Sequence, residues 1–90
     1  MHTLQFIDLQ ISQNKLTEAL DMLDEYIVEH PTCADAFFMR GKVYWKLGNR
    51  SAATGNYATA AELAPGGPAE AALEQARNIE AFFNPDLLNP

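Results

Sequence analysis

Few residues in this sequence have both the type and the spacing that metal binding or acid–base catalysis requires. His30 and Cys33 form an H-x-x-C pair that could bind zinc, yet a structural zinc site needs four ligands and folding could add His2 at most. The alternative is that both border a turn, with Cys33 as a small buried hydrophobe. The acidic run 21–25 could supply an acid–base pair, but no polar partner accompanies it and a solvated helix face explains it.

Motifs of the common enzyme classes are absent as well. The sequence has no glycine-rich phosphate loop, no nucleophile motif and no two-cysteine metal pair. We therefore expect a protein that is not an enzyme and that carries no metal and no cofactor. With one cysteine in the sequence, the fold does not depend on an intrachain disulfide.

Composition and charge narrow the class of protein further. Hydrophobic residues make up 48% of the 90 residues, which is typical of one small globular domain. Twelve acidic and six basic side chains give a net charge of −6, which repels nucleic acid. No signal peptide and no apolar stretch of membrane-spanning length is evident. We expect a soluble cytoplasmic protein that binds neither nucleic acid nor membranes.

The sequence repeats itself at a shift of 34 residues. Pro31 and Pro65 each close a segment with helical apolar spacing, because proline cannot continue a helix. Asn14 and Gly48 mark matching turns, since both residue types tolerate a left-handed backbone at the end of a helix. The segments 13–31 and 47–65 therefore superpose, and the predicted unit is a pair of antiparallel helices.

The second unit has a distinct pattern of aromatic and small residues. Its first helix carries Phe37, Gly41 and Tyr44, its second helix carries Ala53, Tyr57 and Ala60, and Pro65 ends it. This pattern resembles the tetratricopeptide repeat (TPR) family. Glycine and alanine would let the two helices approach closely, while the aromatic rings fill the space around them.

The resemblance implies an all-α fold, a TPR-like right-handed superhelix of antiparallel helix pairs with about five helices. It divides a single domain into a degenerate repeat (1–33), a complete repeat (34–67), a capping helix (68–84) and a tail (85–90). Ala19, Leu23 and Pro31 match the pattern in the degenerate repeat, whose opening helix lacks the glycine and aromatic positions. Alternation over residues 9–11 leaves a short strand there as an alternative.

Two positions depart from the family pattern, Arg40 and Gly55, and the glycine inside the second helix should cost about 1 kcal/mol relative to alanine. Arg40 stands where leucine is the commoner residue, and we expect its stem to pack while its guanidinium reaches water. More broadly, residues 15–29 are mainly acidic and residues 34–50 mainly basic, so we expect salt bridging between the two helices.

In TPR proteins one side of the first helix of each repeat faces a concave groove that binds partner peptides. The resemblance implies that the groove residues here are Asp35, Phe38, Lys42, Trp45 and Lys46, with Leu4, Asp8 and Ile11 from the first repeat and Ala69, Ala72 and Ala76 from the last helix. Aromatic rings beside lysines suit a peptide with apolar anchors and a carboxylate. The alternative is that Phe38 and Trp45 simply pack on the flanking helices.

Two functions follow from this sequence. The first is a protein–protein interaction module, a scaffold or adaptor that binds a partner protein or peptide in its groove. The second is a structural subunit that forms a homodimer through apolar ends, because apolar solenoid ends tend to find partners. The apolar residues concerned are Leu4, Phe6, Leu9 and Ile11 at one end and Phe82, Phe83, Leu87 and Leu88 at the other.

Overall fold

A computed structural model describes residues 2–83, with side chains described up to residue 78. It contains five α-helices, α1 (Leu4–Ser12), α2 (Leu16–Glu29), α3 (Ala34–Lys46), α4 (Arg50–Leu63) and α5 (Pro68–Phe83). Residues 2–83 hold no strand, so the all-α fold with five helices is confirmed and the alternative strand at 9–11 is wrong. None of the five helices combines the length and the apolar character that crossing a bilayer requires. The predicted tail, 85–90, lies outside the described residues.

The ends of α2 and α4 repeat at a spacing of 34 residues. The helices α2 and α4 begin and end at corresponding positions, 16 and 50, then 29 and 63. Asn14 and Gly48 both have a positive φ, +63° and +87°. The next residue in each turn, Lys15 or Asn49, donates its backbone N–H to a carbonyl five residues earlier at 2.9 Å. The predicted turns are thus present with the same hydrogen bonding.

Local hydrogen bonds at the helix starts help to fix the boundaries. The Thr3 hydroxyl accepts a hydrogen bond from the backbone N–H of Phe6, and the Asn49 side chain accepts one from the N–H of Ala52, both at 3.2 Å. Such caps satisfy amide groups that have no partner within the helix. Ahead of α5, the Glu70 carboxylate accepts a hydrogen bond from the N–H of Gly66 at 2.7 Å.

Consecutive helices pack on one another along the chain, and α3 and α4 make the most extensive contact. One apolar cluster joins α1, α2 and α3 around Ile7, Leu23 and Val43, all fully buried. A second cluster joins α4 and α5 around Ala53, Tyr57 and Ala76, with aromatic residues of α3 packed against it. Because α3 contributes to both clusters, it is the central element of the fold.

Gly41 explains the close contact between α3 and α4. A Cβ atom added there would lie 2.6 and 2.7 Å from two ring carbons of Tyr57 and 3.2 Å from the carbonyl oxygen of Ala53. Carbon atoms in contact are ordinarily 3.5–4.0 Å apart, so any side chain at position 41 would collide with the ring. This is the close approach that the sequence predicts for Gly41 and Ala53.

Arg40 joins three helices, which corrects the expectation that its guanidinium simply reaches water. Its Nε donates to Asn56 Oδ1 at 2.7 Å, and its Nη1 pairs with the Asp24 carboxylate at 3.0 Å. The guanidinium carbon also lies 5.3 Å from the centroid of the Phe37 ring. The expected salt bridging between α2 and α3 therefore takes the form of the Asp24–Arg40 pair within the described part of the chain.

Candidate partner-binding groove

The centre of the candidate groove is the stripe of α3 that carries Phe38 and Lys42 one turn apart. The Phe38 ring packs at a tilt on Tyr57, with 5.7 Å between ring centroids. The Lys42 Nζ atom lies 5.4 Å from the centroid of the Phe38 ring, a cation–π contact. Among the described residues Lys42 has no carboxylate within ion-pair distance, so its charge is available to a ligand.

The first half of the groove is a cavity of about 350 Å³ between α1 and α3. Its lining combines apolar side chains with carboxylates and one ammonium group. The residues are Leu4, Gln5 and Asp8 from α1, and Asp35, Phe38, Met39 and Lys42 from α3. Five of the predicted groove residues meet here: Leu4, Asp8, Asp35, Phe38 and Lys42. Gln5 and Met39 are lining residues that the sequence reading missed.

The second half is a cavity of about 240 Å³ between α3 and α5, with a residue of α4 at its base. It is lined by Trp45, Tyr57, Ala72, Gln75 and Ala76, none of which carries a formal charge at neutral pH. The guanidinium carbon of Arg50 lies 5.1 Å from the centroid of the Trp45 ring. Small alanine side chains on α5 leave open space opposite the indole, and this space suits an apolar side chain.

Lining residues of the two cavities stand in repeat register. Leu4, Phe38 and Ala72 are spaced by 34 residues, as are Asp8, Lys42 and Ala76. The first two members of each set line the cavity between α1 and α3, and the third lines the cavity between α3 and α5. The same stripe of three successive first helices therefore forms both cavities.

The structure answers the question of whether Phe38 and Trp45 are packed or open to a ligand. Both side chains are half-buried and pack against the second apolar cluster. Each also lines one of the two cavities. The packing holds the rings in place, and their remaining surface faces the groove.

Three other predicted groove residues, Ile11, Ala69 and Lys46, line neither cavity. Ile11 is 4% exposed in the core cluster of α1, α2 and α3, so its assignment to the groove is wrong. It turns inward because α2 and α3 both pack against α1. Ala69 is buried as well, and Ala76 contributes to the groove from a nearly buried position. Lys46 is exposed and lines neither cavity.

Tyr57 was predicted as a structural residue, yet it forms part of the second cavity. Burial raises the pKa of its phenol above the ordinary value of 10. The residue is thus neutral at physiological pH, with a ring that Phe38 contacts on one side. The sequence does not distinguish a tyrosine that only packs in the core from one that also lines a cavity, because the same aromatic residue serves both roles.

The H-x-x-C pair forms no metal centre in the part of the chain that the structure describes. No group of three or more His, Cys, Asp or Glu side chains is close enough there to hold an ion. His30 instead packs its ring on Tyr26, with centroids 4.4 Å apart, and Cys33 is half-buried at the edge of the first apolar cluster.

Comparisons with known proteins identify the class of the fold. No protein-family model matches the chain, and no curated protein matches it. The solution NMR structure of the Bacteroides fragilis protein BF1650 superposes with a TM-score of 0.86 at 34% sequence identity. The match covers 99% of this chain and 91% of the Bacteroides chain.

This identity over nearly the full length of both chains shows that the protein belongs to one family with that Bacteroides protein. The two share the all-helical fold. The name of the Bacteroides protein attributes no activity, ligand or partner to it.

Proposed function

We propose that this protein is a TPR-like interaction module that binds a segment of a partner protein along the groove formed by α1, α3 and α5. One observation carries the proposal: two cavities lie on the same stripe of successive first helices, with lining residues 34 positions apart. A repeating groove of this kind offers a series of similar pockets to an extended chain. The 34-residue period of the helix ends is further support for the TPR assignment.

The chemistry of the two cavities indicates what a partner segment would present. The cavity between α3 and α5 is uncharged and bounded by an indole ring, so it suits a bulky apolar side chain. The neighbouring cavity holds the Lys42 ammonium beside the Asp8 and Asp35 carboxylates, so it suits a polar group that can pair with both signs of charge. The partner segment therefore carries an apolar anchor followed or preceded by a polar side chain.

The test uses two substitutions in the groove and a matched control for each. Lys42→Glu reverses the charge in the first cavity, and Ala72→Met fills the second without removing a core side chain. Lys46→Glu makes the same charge change one turn further along α3, outside both cavities. Ala71→Met adds the same volume at an exposed position of α5. The four variants and the wild type are used to capture proteins from native extract, with quantitation by mass spectrometry.

A protein that both control variants retain, and that both groove variants lose by about tenfold or more, supports the proposal. A peptide from that protein can then be titrated, with Trp45 as a built-in reporter because it is the sole tryptophan and lines the second cavity. If Lys42→Glu and Ala72→Met capture the same proteins as the wild type, the groove is not the binding site.

A further inference from the structure

Tyr57 carries a hydroxyl group that the packing of its ring does not require. The residue is 6% exposed, and its ring lies against Gly41 and against the Phe38 ring. Phenylalanine, which lacks only the hydroxyl, would make the same ring contacts. Within the part of the chain that the structure describes, the Tyr57 hydroxyl neither donates nor accepts a hydrogen bond. An unbonded polar group on a buried side chain ordinarily costs free energy, so this hydroxyl needs an explanation.

The cavity between α3 and α5 explains how the hydroxyl is tolerated. No enclosed side-chain oxygen or nitrogen of the described residues lacks a hydrogen-bond partner, so the unbonded Tyr57 oxygen must border open space. The open space that Tyr57 lines is this cavity of about 240 Å³. Burial alone raises the pKa of the phenol, which agrees with a hydroxyl that has no charged or hydrogen-bonding neighbour. A largely buried side chain thus ends in a free hydroxyl at the wall of the cavity.

A second polar group lines the same cavity. Gln75 is exposed on α5, and its amide has no partner among the described residues. A phenol and an amide can each donate and accept hydrogen bonds, whereas none of the lining residues carries a formal charge. A charged ligand group would lose its hydration here without an opposite charge to replace it, at a high cost in free energy. The cavity therefore favours a neutral hydrogen-bonding group.

The size and the aromatic wall of the cavity indicate what carries that neutral group. A volume of about 240 Å³ lies below the ~300–1,000 Å³ of small-molecule pockets, so it suits a single side chain. The Arg50 guanidinium covers one face of the Trp45 ring and does not line the cavity, so the cavity meets the other face or the edge of the indole. Aromatic rings attract one another both in offset stacks and edge to face. An aromatic side chain fits either arrangement.

We propose that Tyr57 is a specificity-determining residue of the groove, whose hydroxyl hydrogen-bonds the tip of an aromatic side chain inserted between α3 and α5. The inserted side chain ends in a neutral hydrogen-bonding group, as tyrosine and tryptophan do. A site built to hydrogen-bond such a group discriminates against an anchor that lacks it. Tyr57 can select an anchor only if the groove binds a partner segment, so this role rests on the proposed function.

The experiment selects binders from a phage-displayed library of short random peptides. The targets are the wild type, Tyr57→Phe and two controls. Tyr44→Phe removes the same oxygen atom from a half-buried tyrosine of α3 that lines neither cavity. Ala72→Met fills the cavity between α3 and α5 with a larger side chain. Urea unfolding establishes that all four proteins are folded.

We expect peptides selected on the wild type and on Tyr44→Phe to share one tyrosine or tryptophan position, because both proteins keep the Tyr57 hydroxyl. On Tyr57→Phe the same position should change to phenylalanine or leucine. Selected peptides are then titrated by calorimetry beside versions with phenylalanine in place of tyrosine or 1-methyltryptophan in place of tryptophan. The replacement should weaken binding to the wild type by about threefold to tenfold, as expected for one hydrogen bond, and should leave binding to Tyr57→Phe unchanged.

Two kinds of contrary result are distinguishable. An equal preference for tyrosine or tryptophan in the wild type and Tyr57→Phe overturns the role of the hydroxyl, as does a changed preference in Tyr44→Phe or a wild-type selection dominated by leucine or phenylalanine. In these cases the groove remains the binding site if Ala72→Met selects none of the same peptides. If Ala72→Met selects the same peptides as the wild type, or if the wild type selects none, the proposed function fails together with the role of Tyr57.

Discussion

The two helical hairpins of this protein, α1–α2 and α3–α4, match at three of their four helix ends at a spacing of 34 residues but pack their helices differently. In the second hairpin, Gly41 on one helix receives the large ring of Tyr57 from the other. In the first hairpin the corresponding residues are Ile7 and Leu23, two aliphatic side chains of intermediate size that are fully buried. A glycine–aromatic pair and an aliphatic pair thus occupy corresponding positions between the helices.

Glycine at position 41 lets α3 and α4 approach more closely than α1 and α2, whose facing residues are both aliphatic. Protein interiors are close-packed, so a small residue must face a large one or two medium residues must face each other. The first hairpin has no glycine at the position that corresponds to Gly41, but it keeps the turn at Asn14 and the ends of α2. Its first helix is shorter than α3, and its packing differs.

The largest change in the free energy of unfolding is expected for substitutions at Gly41. Gly41→Ile introduces the residue of the first hairpin while Tyr57 still occupies the space, and we expect a loss of about 3 kcal/mol in the free energy of unfolding. Adding Tyr57→Leu completes the exchange to the aliphatic pair and should restore more than half of that loss. Urea unfolding of both variants and of Tyr57→Leu alone gives the coupling between the two positions.

Gly55→Ala serves as the control, because nothing lies within 4 Å of a Cβ added there. Alanine in that exposed helical position should stabilise the protein by about 0.5–1 kcal/mol. If Gly41→Ile costs less than about 1 kcal/mol, the close contact with Tyr57 does not determine the helix packing.

The Arg40 network is the next difference between the hairpins, since Phe6 and Met22 stand at the positions of Arg40 and Asn56. Arg40→Leu should cost about 2 kcal/mol, because it leaves the buried Asn56 Oδ1 without its donor. The double variant Arg40→Leu/Asn56→Met should recover much of this loss, since both polar partners are then gone.

For comparison, Asp24→Asn removes the exposed ion pair alone. We expect a loss below about 1 kcal/mol that shrinks further in high salt. Equal losses in Asp24→Asn and Arg40→Leu would show that the ion pair, and not the buried hydrogen bond to Asn56, carries the stabilising effect.

Substitutions in the turns should have a smaller effect on stability. Asn14 and Gly48 occupy corresponding positions that both need a left-handed backbone, yet one is asparagine and the other is glycine. Gly48→Ala should cost about 1 kcal/mol through its positive φ, since a Cβ there meets no other atom within 4 Å. Gly48→Asn, which copies the first hairpin, should cost only a few tenths of that. Thermal unfolding resolves the pair, and equal costs would show that the left-handed backbone is not the determinant.

The smallest expected effect is the pH dependence that Tyr57 adds in the second hairpin. Burial raises the pKa of Tyr57 above 10, whereas Leu23 at the corresponding position does not ionise. The folded state therefore favours the neutral phenol, and the resulting stabilisation is present below pH 10 and lost as the pH rises above it. The fall in stability between about pH 10 and pH 11 should be shallower in Tyr57→Phe than in the wild type. Identical slopes would contradict the assignment to Tyr57.

Much of the fold could be predicted from local sequence signals. Two prolines, an asparagine and a glycine at matching offsets predict the ends of four helices, because these residues act on the backbone of their own segment. Helical apolar spacing predicts which side of α2 and α4 is buried, and Ala19, Leu23 and Ala53 are fully buried as expected. Leu4, Asp8 and Lys42 were expected from the resemblance to TPR proteins, and all three line the cavity between α1 and α3.

Other features depend on which elements meet in space. Ile11 lies in the core because two helices pack against α1, and its spacing alone fits a groove position equally well. Tyr57 lines a cavity because α5 presents alanines opposite Trp45. Arg40 finds its partners on α2 and α4, each 16 residues away in sequence.

Local sequence signals predict the helices, most of their ends and the 34-residue period, since turn residues and apolar periodicity act within a few residues of the chain. The tertiary structure decided which side chains of a helical stripe are buried, which face a cavity and which remain exposed. Those outcomes depend on the volumes and charges that neighbouring helices bring from distant segments. The exposed Phe6 and Leu9 and the buried Val43 show this, because the repeat register is the same and their surroundings differ.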